Sequence, residues 1–354
     1  MNDLILQFQV KGTPEQCSRY GCGHINETYL VTCDSGLSYI LQKINKKIFT
    51  KPEELMENVA AVTAYLSQNS DDPRTSMHLV SAADGKTFYQ DADGEYWRMY
   101  EFVPSTVCLQ KAETPKDFYY SGLAFGRFQG ELAGFPAQTL HEAIKDFHNT
   151  PARFGQLHAA MAVNFENRKE LCGPELAFAL EREKESGAIV DKLASGELPL
   201  RVTHNDTKLN NVLFDYDTRM PLCVIDLDTI MPGSALYDYG DSIRFGASTA
   251  AEDEKDLDKV WCDMELFRTY TEGFLEGCGG RLTEKEVEML PMGAKMMTLE
   301  CGIRFLADYL NGDTYFRTHY PEQNLDRART QFKLVADMEA KWAQMAQIVK
   351  EAAK

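Results

Sequence analysis

Apolar and polar residues alternate in short runs along the first hundred positions, a pattern typical of half-buried strands. The runs predict strands over residues 29–32, 38–44, 77–82, 87–90 and 97–103. One helix interrupts them, because apolar residues recur at helical spacing over residues 55–66, just after a proline suited to a first helical turn. This part of the chain is therefore expected to form a small sheet with one helix.

Beyond residue 104 the apolar residues recur mostly at helical spacing. Helices are predicted over residues 117–132, 147–165, 175–193, 255–277, 284–311 and 324–350. Pro104 ends the last strand of the first part, which places a domain boundary near residues 100–106. We expect an α+β protein with a β-rich domain at residues 1–103 and a helical domain at residues 104–354.

Three short apolar runs interrupt the helical part and predict buried strands, at residues 200–203, 212–214 and 222–227. The polar loop between the first two contains Asp206, Lys208 and Asn211, and Asp226 lies near the end of the third run. A hairpin of these strands is expected to bring Asp206, Asn211 and Asp226 to one edge.

These residue types fit phosphoryl transfer, in which a carboxylate deprotonates the attacking hydroxyl while an amide and a second carboxylate bind Mg²⁺. Lys208 would neutralise charge on the transferred group. The alternative is a polar hairpin whose Asp and Asn residues only form turns and caps. Asp228 is a second candidate for the metal, because residues two apart on a strand share a face.

Composition narrows the functional classes. A net charge of −17 argues against a nucleic-acid-binding protein, which needs a basic surface. The nine cysteines are scattered and form no C-x-x-C pair, so a disulfide framework or zinc site is not expected. We find no signal-like N-terminus and no long apolar stretch, which predicts a cytoplasmic protein without a membrane partner.

Several residues of the first domain are candidates for nucleotide binding. Gly21 and Gly23 precede a strand, where backbone N–H groups can approach phosphate oxygens, although a plain hairpin turn is the alternative. Lys43 lies in a strand at the place of the phosphate-pairing lysine of protein kinases, with Glu54 or Glu57 as possible partners. A solvated lysine is the alternative.

The strand at residues 97–103 leads to the domain boundary, where a kinase would bind adenine through its backbone. Glu101 and Val103 are the candidates for that contact.

Charged residues in the helical part have both structural and functional interpretations. Arg304 lies in an otherwise apolar helix, which requires an ion pair or a ligand. His158 is expected to be a hydrogen-bonded core residue. Asp238 and Asp241 are expected to cap the next helix and to support the preceding loop.

The catalytic hairpin resembles the aminoglycoside phosphotransferase and choline kinase superfamily, whose members show H-x-D-x-x-x-x-N followed by I-D. Here these residues are His204 to Asn211 and Ile225-Asp226. The amino-acid sequence around Asp206, Asp226 and Asp241 is similar to that of N-acetylhexosamine 1-kinases. The resemblance extends from residue 20 to residue 316 and implies a bilobal, protein-kinase-like fold.

By this resemblance the protein is an ATP- and Mg²⁺-dependent kinase for the C1 hydroxyl of N-acetylglucosamine or N-acetylgalactosamine. Asp206 is then the general base, assisted by Lys208, and Asn211 with Asp226 binds the metal. The residues expected to contact the sugar are His24, Asn205, Asp206, Arg304 and Tyr315, with Trp342 as a further candidate.

Two other functions stay open at this stage. A kinase for choline, ethanolamine or another amino alcohol would need an aromatic cage, and the three tryptophans form no local cluster in the sequence. A catalytically silent nucleotide-binding regulator would not need Asp206, Asn211 and Asp226 together. An assay of ATP turnover with a panel of acceptors separates the three.

Overall fold

The computed structural model describes residues 1–21, 25–68, 70–110, 112 and 114–354. Its strands are β1 (Pro14–Arg19), β2 (Glu27–Cys33), β3 (Ser38–Lys43), β4 (Tyr89–Gln90), β5 (Tyr96–Glu101), β6 (Thr106–Cys108), β7 (Arg201–Thr203), β8 (Val212–Asp215), β9 (Pro221–Val224) and β10 (Met231–Gly233). Its α-helices are α1 (Asn2–Ile5), α2 (Pro52–Leu66), α3 (Pro115–Glu131), α4 (Thr150–Val163), α5 (Gly173–Glu181), α6 (Val190–Ser195), α7 (Ala235–Gly246), α8 (Met264–Cys278), α9 (Glu284–Leu310), α10 (Gln323–Ala340) and α11 (Trp342–Ala352).

The chain forms two compact units, each assembled from separate segments. The first unit consists of residues 1–109, 134–144 and 211–232. The second unit consists of residues 110–133, 145–210 and 233–354. The division of the sequence into lobes at residue 103 stays a prediction.

The main sheet of the first unit has the strand order β1-β2-β3-β5-β4, and every neighbouring pair is antiparallel. The alternation of apolar residues fixes its register, since Val31 lies opposite Tyr39 and Leu41 lies opposite Met99. These four side chains are buried. Phe8 packs into the same cluster, so the short N-terminal segment closes one face of the sheet.

The predicted hairpin forms only in part: the second and third apolar runs pair as β8 and β9, whereas the first run, β7, is not a strand of their sheet. Strand β8 pairs antiparallel with β9 and with β6, and Leu213 lies opposite Cys223. At the open end of the hairpin, the Ile225 N–H donates to the Asn211 carbonyl oxygen at 2.9 Å. Asn211 and the residue after Ile225 are therefore neighbours across this end of the hairpin.

In the second unit, helices α3 and α8 approach each other closely through glycines. Gly122 and Gly126 of α3 face the α8 backbone, and a Cβ atom on Gly126 would lie 2.2 Å from the Phe274 carbonyl oxygen. Gly273 and Gly277 of α8 face the α3 backbone in the same way. Glycine is thus required by the separation of the two helices, although it lowers helix propensity.

Helix α9 has 27 residues and forms much of the interior of the second unit. A capping box starts it, in which Thr283 and Glu286 each bond the backbone N–H of the other. Glu286 is fully buried and also pairs with Arg201, which lies in β7. The strand that precedes the catalytic loop is thereby fixed to the start of this helix.

Several predicted elements were placed wrongly. Residues 77–82 form only isolated bridges, at Leu79 and Ala82. The predicted helices at 175–193 and 324–350 are each divided into two, the second at Lys341. Helical spacing continues across such breaks, so the pattern alone does not reveal them. The first residue of α11, Trp342, is 36% exposed and is not a core residue.

Candidate functional site

The loop of residues 204–208, which contains the predicted base Asp206, is organised by Asp238, the fourth residue of α7. Its carboxylate accepts hydrogen bonds from the backbone N–H groups of His204 and Asn205, at 2.9 and 2.8 Å. It also accepts one from Gln129 at 2.7 Å. Burial raises the pKa of Asp238, and these donors act in the opposite direction. The expected supporting role of Asp238 is confirmed, but Ser234 is the residue that caps α7.

Asp206 and Lys208 form an ion pair in this loop, with 2.6 Å between Oδ1 and Nζ. Burial disfavours the charged amine, but Asp206 raises the pKa of Lys208 above its ordinary value. Asn205, directly before, adopts a left-handed conformation with φ of 65°. The His204 ring is buried against Phe125 and Phe128. A strained backbone on a buried support thus presents a partly exposed carboxylate and lysine.

Asn211 and Asp226 lie at the same end of the β8–β9 hairpin in the first unit. Asn211 ends a short 3₁₀ helix, Leu209–Asn211. Asp226 adopts a left-handed conformation with φ of 62° and precedes a second 3₁₀ helix, Leu227–Thr229. The two residues offer an amide and a carboxylate oxygen, which are suitable ligands for Mg²⁺ together with phosphate oxygens.

Asp228 has a different environment from Asp226. It lies 2.5 Å from the Arg98 guanidinium and accepts a short hydrogen bond from the Asn26 amide. Arg98 and Asp228 are both buried. The argument that Asp226 and Asp228 share a strand face was wrong, because β9 ends at Val224 and the backbone turns at Asp226.

The nucleotide-binding candidates of the first unit lie along β3, β5 and the segment before β2. Gly21 has φ of 74°, as a tight turn requires, whereas Gly23 lies outside the described residues, as does the sugar-binding candidate His24. The Lys43 amine lies 3.5 Å from Glu95. Because β3 pairs with β5, Lys43 finds its partner just before β5 and not on α2, where Glu54 and Glu57 lie.

The two hinge candidates differ in their backbone contacts. The Glu101 N–H donates to the His78 carbonyl oxygen at 2.9 Å. The Val103 carbonyl oxygen accepts from the Thr106 hydroxyl at 3.0 Å. Val103 follows the end of β5, at the position expected for a hinge.

Arg304 of α9 is partly buried between two aromatic rings of the second unit. Its guanidinium carbon lies 5.6 Å from the centre of the Phe147 ring and 5.5 Å from that of Phe316. Within the described ranges, no carboxylate oxygen lies within 4.0 Å of this guanidinium. The structure therefore does not show the ion pair that was one of the two expectations for Arg304.

The segment after α9 is held in part by the Asp308 carboxylate. Asp308 accepts from the backbone N–H groups of Thr314, Tyr315 and Phe316, at 3.0, 2.8 and 2.9 Å. This places the Phe316 ring beside Arg304, while Tyr315 is 71% exposed. The side chain of Tyr315 is thus available to a ligand, on a backbone that is fixed.

Sequence reasoning missed two buried networks. Arg98 lies in the apolar run of β5, and Glu300 lies one turn before Arg304 in α9, where it contacts His148 at 2.8 Å. The rule that singled out Arg304, a charge within an apolar element, applies equally to Arg98 and Glu300. The prediction that His158 is a core residue was wrong, because it is exposed and pairs with Glu183.

A model of the APH family, described as a phosphotransferase enzyme family, matches residues 16–270. The chain belongs to this phosphotransferase family. The predicted phosphotransferase chemistry and the α+β kinase-like fold are thereby confirmed. The identity of the phosphoryl acceptor stays a prediction.

Solved structures with a similar fold include three small-molecule kinases. The aminoglycoside phosphotransferase of Alicyclobacillus acidocaldarius is 12% identical, with a TM-score of 0.67 and coverage of 99% of this chain and 96% of that chain. A microcompartment-associated aminopropanol kinase is 18% identical, with a TM-score of 0.58 and coverage of 98% and 97%. An amicoumacin kinase in complex with AMP-PNP, Ca²⁺ and Ami is 15% identical, with a TM-score of 0.60 and coverage of 93% and 90%.

Across the described part of this phosphotransferase, no group of three or more His, Cys, Asp or Glu residues forms a metal cage. Among the same residues, no helix has both the length and the apolar character needed to cross a bilayer.

Proposed function

We propose that this phosphotransferase transfers the γ-phosphoryl group of ATP to the anomeric C1 hydroxyl of an N-acetylhexosamine, N-acetylglucosamine or N-acetylgalactosamine. The observation that carries the proposal is Arg304, a partly buried cation with aromatic rings on two sides and no carboxylate within 4.0 Å among the described residues. A guanidinium in this environment favours an acceptor rich in hydroxyl and carbonyl oxygens.

Asp206 is the proposed general base. An anomeric hydroxyl is more acidic than an ordinary alcohol, so a carboxylate can take its proton as the bond to phosphorus forms. The ion pair with Lys208 holds the Asp206 carboxylate in place and supplies positive charge for the transferred group. Asn205 is fixed by Asp238 through its backbone, which supports its proposed role in binding the sugar.

Further sugar contacts are proposed for Tyr315, which is exposed on a fixed backbone, and for His24. Hydroxyl-bearing substrates are selected by directed hydrogen bonds from several fixed groups.

Asn211 and Asp226 are the proposed Mg²⁺ ligands, and the ion would neutralise charge on the nucleotide phosphates. The pairing of Asp228 with Arg98 supports Asp226 as the carboxylate ligand. The similarity to a kinase that binds AMP-PNP and Ca²⁺ supports the use of a nucleotide and a divalent metal.

The proposed nucleotide contacts are made by residues of the first unit. Phosphate binding is assigned to the backbone at Gly21 and Gly23 and to Lys43, and adenine binding to the backbone of Glu101 and Val103. Val103 is the stronger adenine candidate, because the Glu101 N–H already bonds His78.

An amino alcohol is the second candidate acceptor, favoured by the similarity to an aminopropanol kinase. Its ammonium group would require a carboxylate or an aromatic cage. Two aromatic rings lie near Arg304, but the guanidinium itself lies 5.6 and 5.5 Å from their centres and would repel a second cation there. The charge near Arg304 therefore supports the sugar over the amino alcohol.

The test is an ATP turnover assay with a panel of acceptors: the two N-acetylhexosamines, their unacetylated hexoses, ethanolamine, aminopropanol and choline. We expect turnover with the N-acetylhexosamines. Phosphorus NMR of the product should then show a glycosyl 1-phosphate, whose signal differs from that of a 6-phosphate. Turnover with an amino alcohol and not with the sugars would refute the proposal, as would a 6-phosphate product.

A further inference from the structure

A buried histidine and glutamate form a fixed pair within the second unit. His148 Nδ1 lies 2.8 Å from Glu300 Oε1, and the Thr150 hydroxyl donates to Glu300 Oε2 at 2.8 Å. Both carboxylate oxygens therefore have a partner from the segment that leads into α4. Burial alone would raise the pKa of Glu300, but the neighbouring His148 and Arg304 hold it below its ordinary value. Glu300 is thus an anionic anchor for the imidazole ring.

The ring of His148 is also held by its neighbours on both sides. Its centre lies 4.6 Å from that of Phe147 and 4.9 Å from that of Tyr237. The side chain is 9% exposed, yet Nε2 has no hydrogen-bond partner among the described residues. A buried nitrogen without a partner destabilises the fold, so folding alone does not explain it.

The surroundings of His148 carry positive charge. Arg153, on the first turn of α4, donates to the Phe147 carbonyl oxygen at 2.7 Å, while its Nε is buried and lacks a partner within the same described set. Arg304 lies near the same residue, since its guanidinium carbon is 5.6 Å from the centre of the Phe147 ring. Burial and the nearby charge of Arg304 both lower the pKa of Arg153. Two guanidiniums therefore lie close enough to repel each other, and among the residues that the structure describes neither has a carboxylate within 4.0 Å.

His148 is also close to the catalytic loop of the same unit. Asp241 of α7 is stabilised in its charged form by Arg244, Lys208 and His148, which together outweigh its burial and lower its pKa. Lys208 is the residue that pairs with Asp206. His148 also packs beside the helix that supports this loop, since its ring lies 4.9 Å from that of Tyr237 and the next residue, Asp238, accepts from the backbone of His204 and Asn205.

We propose that His148 Nε2 binds an oxygen atom of the phosphoryl acceptor, with Glu300 as the residue that positions the ring. The inference rests on the proposed function in taking this loop as the site of phosphoryl transfer. Because Nδ1 faces a carboxylate, a neutral ring accepts a hydroxyl proton at Nε2 and a protonated ring donates there. A hydroxyl group suits both states. Arg153 and Arg304 exclude an ammonium group from the same place.

Two substitutions test this proposal, because asparagine can replace only the Nδ1 nitrogen of the imidazole and glutamine only the Nε2 nitrogen. His148→Asn keeps a nitrogen near the Nδ1 position, where it can donate to Glu300, and loses Nε2. His148→Gln extends a nitrogen toward the Nε2 position and loses the contact with Glu300. For each variant kcat and KM are measured for the acceptor found in the panel above and for ATP, and thermal melting records whether the protein is folded.

We expect His148→Asn to raise the acceptor KM by about tenfold or more, with the ATP KM within twofold of the parent. His148→Gln should recover part of the acceptor affinity although its melting temperature is lower. His158→Asn is the matched control, since it removes an exposed His–Glu pair from α4 and should change neither KM. If His148→Asn does not fold, the acceptor KM of His148→Gln is compared with that of Glu300→Gln, and the larger rise is expected for His148→Gln, because Glu300→Gln keeps Nε2 and an oxygen that can accept from Nδ1.

An unchanged acceptor KM in folded His148→Asn overturns the inference, as does an equal rise in both KM values. These results are independent of which acceptor the panel identifies. An amino alcohol as the acceptor would refute the proposed function and the exclusion of ammonium, whereas the assignment of His148 would still be decided by its own variants.

Discussion

Arg98 and Asp228 form a buried ion pair, with 2.5 Å between the guanidinium and the carboxylate and exposures of 1% and 4%. Burial disfavours the Arg98 charge, but Asp228 raises the pKa of Arg98 overall. Arg98 Nε also donates to Gln42 at 3.0 Å, and Asn26 donates to Asp228. Strands β3 and β5 and the residue just before β2 are thereby tied to the short helix that follows Asp226. The pair fixes the backbone next to the proposed metal ligand.

Arg98→Met should destabilise the protein by about 3–5 kcal/mol, because Asp228 is left as a buried charge without its main partner. Replacing both residues, as Arg98→Met with Asp228→Leu, should restore much of the stability. We expect the Mg²⁺ concentration for half-maximal turnover to be higher than in the parent in both the single and the double variant, because the segment after Asp226 has lost its anchor. Urea unfolding and Mg²⁺ titration of turnover measure the two effects separately.

Arg182→Met is the control for Arg98→Met. It removes a mostly buried guanidinium that pairs with Glu339 at 2.6 Å in the second unit. It should lower stability and leave the Mg²⁺ dependence unchanged. A stable double variant with the parental Mg²⁺ dependence would show that Arg98 stabilises the fold without positioning the metal segment.

Features that depend on neighbouring residues could be predicted from the sequence, whereas contacts between residues far apart in the chain could not. The hairpin that holds Asn211 and Asp226 was predictable, because short apolar runs and polar spacing are local signals. The partners of Arg98 and Glu300 were not, since each lies more than a hundred residues away. A charge in an apolar run indicates that a partner exists, but packing determines which one.

The same limit applies to Lys43 and to the helices. The partner of Lys43 is Glu95, and the register of β3 against β5 brings the two together. No local sequence pattern specifies that register. Likewise, the glycines of α3 read as weak helix positions in the sequence, and only the approach of α8 explains them.

Asp206→Asn should lower turnover by at least about a hundredfold, because an amide cannot accept the proton of the attacking hydroxyl. It should leave nucleotide binding largely intact. Steady-state kinetics and a nucleotide titration test the two statements. Parental turnover in this variant would contradict the assignment of Asp206 as the base.

Lys208→Met separates the base from its ion-pair partner. Lys208 orients the Asp206 carboxylate and contributes positive charge but does not take the proton, so its loss should lower kcat less than the loss of Asp206. Equal losses in the two variants would indicate that the pair acts as one unit.

Gly126→Ala should destabilise the protein by about 1–3 kcal/mol, because the added methyl group would lie 2.2 Å from the Phe274 carbonyl oxygen and force α3 and α8 apart. Gly155→Ala is the matched control, since nothing lies within 4 Å of its Cβ position in α4. There the higher helix propensity of alanine should stabilise by about 0.5–1 kcal/mol. Urea unfolding of both variants measures the difference, and equal effects would contradict close packing at Gly126.

Asp215 should contribute to stability in a pH-dependent way. The Thr218 N–H and Arg74, at 2.9 Å each, lower the pKa of Asp215 to about 2. Because the folded pKa lies below the ordinary value, the contribution is present above about pH 4 and is lost as the pH falls toward 2. We therefore expect Asp215→Asn to be less stable than the parent at pH 6 and to approach it near pH 3.

Asp217→Asn, on the same exposed turn, removes a carboxylate that does not contact Arg74 and should follow the parent at both pH values. A difference between Asp215→Asn and the parent that is constant from pH 6 to pH 3 would contradict the lowered pKa.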